Sequence, residues 1–104
     1  MTTDKRLSLH NELIALLGST NVYFQPPETV KMQYPCIRYT REKPHVRRAD
    51  DKRYINVQRY NLIVISPDPD MDLPERIANH FENCEIENYY TSNNLTHCAL
   101  NLYY

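Results

Sequence analysis

A chain of 104 residues with 41% apolar content can bury one small core but not two. Its single glycine, Gly18, excludes phosphate-cradling loops and dinucleotide fingerprints, which need several glycines for close backbone approach to a ligand. The net charge of −1 hides a division: eleven basic against six acidic residues through Arg59 give +5, and one against seven from Tyr60 onward gives −6.

Residues Asp4 to Leu17 read as a helix, with Leu7, Leu13, Ile14 and Leu17 on one face beside His10, and Gly18 placed to end it. Val22-Tyr23-Phe24 is a short strand stopped by Gln25 and Pro26-Pro27, since proline cannot continue a ladder. Met32 to Pro35 leads into a second strand, Cys36 to Thr40. The next segment, 41–53, carries Arg41, Lys43, Arg47, Arg48, Lys52 and Arg53 against Glu42, Asp50 and Asp51. So polar a stretch reads as a long, exposed charged hairpin arm or a partly disordered loop.

A long strand is expected from Tyr54 to Ser66. Its half Leu62-Ile63-Val64-Ile65 is apolar on both faces and so belongs centrally in a sheet, with cover on each side. Pro67-Asp68-Pro69-Asp70 stops it. Asp72 and Glu75 have the spacing of a capping box, and the helix behind them offers Leu73, Ile77 and Phe81 to the core before ending near Asn83. A strand from Cys84 to Tyr90, a turn at Thr91 to Asn94 and a strand from Leu95 to Tyr104 follow. In the last strand Cys98, Leu100, Leu102 and Tyr104 alternate with His97, Asn101 and Tyr103. The order predicts one α+β domain spanning residues 1–104: a mostly antiparallel sheet of about five strands, with two helices packed on one face.

Chemistry-bearing motifs are sparse. Asp68, Asp70 and Asp72 have the alternate spacing of a calcium loop, but Leu73 and Asn79 stand where its glycine and bidentate glutamate belong. His97 and Cys98 are adjacent on a strand and point to opposite faces, so they do not form a zinc pair. Cys36, Cys84 and Cys98 show no CxxC spacing and read as buried reduced thiols. No nucleophile motif surrounds Ser8, Ser19, Ser66 or Ser92. The expectation is therefore a protein that is not an enzyme, with no catalytic residue, no metal and no cofactor. No apolar run approaches bilayer length and Met1 to Arg6 lack signal-peptide character, so a soluble, cytoplasm-made protein with no membrane partner is expected.

The basic segment offers phosphate contacts, with Tyr39, Tyr54 and Tyr60 near enough in sequence to stack bases. A small nucleic-acid-binding accessory protein is thus the alternative reading. Three acids within the segment and a near-neutral whole favour a protein neighbour instead. The acids from Asp68 to Glu87 (Asp68, Asp70, Asp72, Glu75, Glu82, Glu85 and Glu87) would receive such a segment from a second copy, in a head-to-tail contact that closes into a ring.

Four segments, taken in order, carry a resemblance: Val22-Tyr23-Phe24-Gln25-Pro26-Pro27, Met32-Gln33-Tyr34-Pro35-Cys36-Ile37, Tyr60 to Asp70, and Asn93 to His97 through Leu102-Tyr103-Tyr104. In this order they resemble the tail terminator (tail completion, head–tail joining) proteins of long-tailed bacteriophages. The resemblance implies a structural virion protein of the neck or tail, assembled in the host cytoplasm. It would form a hexameric ring that terminates the tail tube and joins it to the head-completion or connector protein. Non-specific contact with DNA in the channel would follow if the arm faced the lumen.

Overall fold

The computed structural model describes residues 2–27, 29–42 and 58–104, with side chains of the first helix from Lys5 onward. Helix α1 (Thr2–Leu17) is followed by strands β1 (Val22–Phe24), β2 (Cys36–Glu42) and β3 (Arg59–Ser66). Helix α2 (Leu73–His80) and strands β4 (Cys84–Ser92) and β5 (Leu95–Tyr103) complete the chain. The five strands form one mixed sheet in the order β1-β2-β3-β5-β4. Three of its pairs are antiparallel, and only β1 runs parallel to β2. The α+β class with two helices and five strands is as expected, and β3 is the central strand. The greater part of the charged arm, 43–53, and the expected strand start at 54–57 lie outside the described residues.

Both helices cover the same face. Leu9 and Leu13 of α1, Leu73 and Ile77 of α2, and Phe81 just past its end pack on Val22, Ile37, Tyr39, Tyr60, Leu62, Val64, Cys98, Leu100 and Leu102. Register accounts for this set: Ile37, Val64 and Cys98 are cross-strand partners, as are Tyr39, Leu62 and Leu100, and partners share a face. Burying each leucine contributes roughly 1.5–3 kcal/mol, so the stripe of α1 holds the helix more firmly than its propensity does.

The core face of α1 departs from expectation. Leu7 is 46% exposed, and Leu9 is buried in its place. Leu9 and Leu13, four apart, make the central stripe, with Leu16 and Leu17 continuing it and Ile14 at its flank. Seven apolar residues in one helix span more than one stripe, so periodicity alone selects the wrong edge. Gly18 ends the helix as expected, at φ 83°, with its N–H donated to the Ile14 carbonyl.

At α2 the expected capping box is absent. Asp72 sits in helical backbone geometry (φ −102°, ψ −3°), its carboxylate makes no cap, and it pairs instead with Arg76 at 3.5 Å. The helix stops at His80, three residues before the expected Asn83, because Phe81 turns extended to reach the core. The β4–β5 turn needs only Asn93 and Asn94, both at positive φ, which matches the right-handed strand twist and suits asparagine.

Among the described residues, the opposite face of the sheet carries no helix. Tyr23 lies there, and its hydroxyl accepts the Gln33 N–H, so the β1–β2 connection returns across that face. Cys36 and Ile65, cross-strand partners, are buried on this side, whereas Ile63 is only half-buried and Arg38 is exposed. Cover on both sides of the central strand is thus confined to its end near Ser66.

Candidate interaction surfaces

Strand β3 separates the two charged regions. At its first residue, Glu42 of β2 pairs with Arg59 of β3, and Gln58 donates its side-chain N–H to the Glu42 carbonyl at 2.7 Å. Segment 43–57 therefore leaves and rejoins the sheet at one end. Arg41, one residue before this root, is exposed, and its backbone N–H donates to Gln25 Oε1. Lys43, Arg47, Arg48, Lys52 and Arg53 lie outside the described residues. At the other end of β3, about 23 Å away for seven residue steps, the chain enters the acidic turn.

The seven acids of the expected patch do not form one surface. Asp68, Asp70, Asp72 and Glu75 are exposed at the far end of β3, around the turn into α2. There Asp68 accepts the Asp70 N–H, Asp72 pairs with Arg76, and Ser66 Oγ accepts the Asp68 N–H. These residues border a cavity of about 230 Å3 that Leu17, Met71 and Leu73 floor. Glu82 and Glu85 lie at the other end, beside the root of the basic segment, because Cys84 pairs with Leu102 and Leu102 with Tyr60. They border a second cavity, of about 270 Å3, with Asn101 and Tyr103. Glu87 occupies the β-bulge of β4 and reaches over the uncovered face to accept from Asn61 Nδ2 at 3.4 Å.

The uncovered face carries a polar ladder. Arg59 donates to Asn101 Oδ1, Asn61 donates to Glu87 and to the Leu100 carbonyl, and the Tyr90 and His97 rings stack 4.8 Å apart. Exposed Tyr90 and Tyr89 project from the two sides of β4, at 40% and 51% exposure.

Two polar constellations on the helix-covered side arise from residues far apart in sequence. The buried Tyr39 hydroxyl lies 2.7 Å from His10 Nδ1 and accepts from Arg6, whose guanidinium also sits 4.3 Å over the Phe24 ring. Burial and the Arg6 charge push the His10 pKa down, and burial pushes that of Tyr39 up. In the second, Tyr104 donates to Glu12 Oε2, Glu12 Oε1 lies 2.8 Å from His80 Nε2, and Ser8 Oγ lies 3.0 Å from the Tyr104 hydroxyl. The Tyr104 hydrogen bond holds the Glu12 carboxyl below its usual range, and burial raises Tyr104. A carboxylate so stabilised is a poor base, and a tyrosine with raised pKa does not activate Ser8. The array fastens α1, α2 and the chain end to one another.

The thiols are all free. Burial pushes Cys36 and Cys84 up to about 11, far from the thiolate a nucleophile or metal ligand needs. Cys84 is only partly buried, which departs from the expected set of three buried thiols. His97 and Cys98 do face opposite sides of the sheet. Among the described residues no group of three His, Cys, Asp or Glu side chains is placed to hold a metal ion, and no helix is long and apolar enough to cross a membrane.

No protein-family model, curated protein or solved structure matches the chain.

Proposed function

We propose that this chain is a structural virion protein, a ring-forming tail terminator or tail-completion subunit that joins the tail tube to the head connector. One observation carries the self-assembly part of this reading. The basic segment is rooted at one end of β3, and four of the acids cluster at the other. Opposite charges at opposite ends suit a head-to-tail contact between copies, and such contacts close into rings. The resemblance of the four ordered segments supplies the place in the virion and the hexameric count. The acids Glu82, Glu85 and Glu87 stand outside that far-end cluster and belong to a separate surface along β4.

The test is assembly. Light-scattering sizes over a concentration series, and negative-stain images with and without tail tubes, are expected to show rings or tube ends capped by rings. A chain that stays monomeric and leaves tube ends bare overturns the reading. DNA binding that is steep in salt and lost in an Arg47→Ala/Arg48→Ala/Lys52→Ala/Arg53→Ala chain, without any ring, would transfer the basic segment to a nucleic-acid role.

A further inference from the structure

We infer that the free edge of β4 is a strand-addition site, and that its occupant is the basic segment 43–57 of a second copy. The inference rests only on the reading that copies of this chain associate, and it places their contact on the β4 surface rather than at the far-end acids.

Strand β4 is nine residues long and closes the sheet on one side, pairing only with β5. Among the described residues no main-chain hydrogen bond is made from its outer side. Alternate N–H and C=O groups along it are thus directed outward, a template for another extended segment. The other edge offers no equivalent. Strand β1 has three residues and ends at Gln25, whose φ is 44°, followed by two prolines.

Charge complementarity selects the occupant. Glu82, Glu85 and Glu87 lie along the approach to β4 and its first half, and no Lys or Arg follows Arg76 anywhere in the chain. Neither Glu82 nor Glu85 meets a cation among the described residues. Segment 43–57 carries five basic residues against Asp50 and Asp51, and its last four, Tyr54-Ile55-Asn56-Val57, are of the type that suits a strand. An acidic edge with unused backbone donors and acceptors and a basic segment that ends in strand-forming residues are complementary in charge, and the segment's last residues are of a type that can add to a sheet. Two copies of β4 placed edge to edge would instead bring acid against acid.

The experiment uses the full chain and two reversals: Glu82→Lys/Glu85→Lys on the edge, and Arg47→Glu/Arg48→Glu on the segment. Sedimentation velocity measures association, and amide exchange measures protection along β4. All variants are first checked for wild-type melting behaviour, which the exposed positions of Glu82 and Glu85 make the expected result on the edge. Each reversal alone is expected to weaken self-association on the order of tenfold or more, since like charges then face each other. Mixing the two variants restores association, since the reversed edge of one meets the reversed segment of the other, and a chain carrying both reversals associates again. Protection of β4 amides is expected to rise with association in the wild type.

Association unchanged by either reversal, or β4 amides that exchange equally fast in the associated protein, overturns the edge contact while leaving a ring built on other surfaces. Reversals that alter exchange at β4 in a protein that stays monomeric show the segment lying on its own sheet, and overturn it too. A chain that neither associates nor caps tail tubes removes both readings together.

Discussion

The two faces of the sheet share the same strands and differ in everything that holds them. On the covered face, Leu62, Val64, Leu100 and Leu102 meet two helices, and the polar groups present, Tyr39 and His10, are bonded to each other. On the uncovered face the neighbouring residues, Asn61, Arg59 and Asn101, form a ladder of side-chain hydrogen bonds. Stability is drawn chiefly from the first face, and the second presents polar side chains bonded to one another.

Adjacent residues of β5 give the sharpest way to break that comparison. Leu100→Ala removes a fully buried side chain and is expected to cost about 3–4 kcal/mol. Asn101→Ala, one step along and on the other face, is expected to cost about 1 kcal/mol, as a half-exposed hydrogen bond is lost. Urea midpoints at constant slope measure both, and equal losses would show the uncovered face to be as structural as the covered one.

Tyr39→Phe probes the polar point inside the covered face. It deprives His10 and Arg6 of their shared hydroxyl, and a loss of about 1–2 kcal/mol is expected in the same denaturation measurement. A change below about 0.5 kcal/mol would mean that water replaces the hydroxyl and that the site is less dry than its geometry indicates.

Two pH windows separate the polar groups of this face. His10 has a lowered pKa in the folded protein, so the folded state resists its protonation. Stability is expected to fall as pH drops below the ordinary histidine range, and to level off below the lowered folded value. His10→Gln should flatten that limb. Glu12 is also lowered, chiefly by the Tyr104 hydrogen bond. Its contribution is full above the ordinary glutamate range and is lost as pH falls through the lowered folded value. Glu12→Gln should flatten this second, more acidic limb, as read by thermal melting across a pH series. The smallest effect is expected at the exposed turn, where Asp68→Asn should change stability by less than about 0.5 kcal/mol.

Much of the architecture follows from local pattern. The alternation in Leu95–Tyr103, the central place of β3 and the single glycine after α1 are each realised, whereas the two-sided cover of β3 holds only at one end and the expected turn shortens from Thr91–Asn94 to Asn93 and Asn94. The errors arise where tertiary packing chooses among local options. Leu9 displaces Leu7 because the sheet accepts one stripe of a helix with seven apolar positions. Asp72 forgoes the cap because its own backbone is helical and Pro74 has no N–H to offer. The interaction surfaces were less legible. Charge sorting was visible in the chain, but its division of the acids into two ends required the strand register. The Glu12–His80–Tyr104 array joins residues up to 92 positions apart and leaves no signal in spacing.

The root of the basic segment has an evolutionary consequence. Gln58 and Tyr104 exchange backbone hydrogen bonds, and Gln58 also holds the Glu42 carbonyl, so the sheet is sealed where the segment departs. Changes of length or sequence between 43 and 57 need not be transmitted to the core, and each doubling of such a connection costs only about 0.6 kcal/mol in closure entropy. The chain can therefore revise this segment while the scaffold that bears it stays the same.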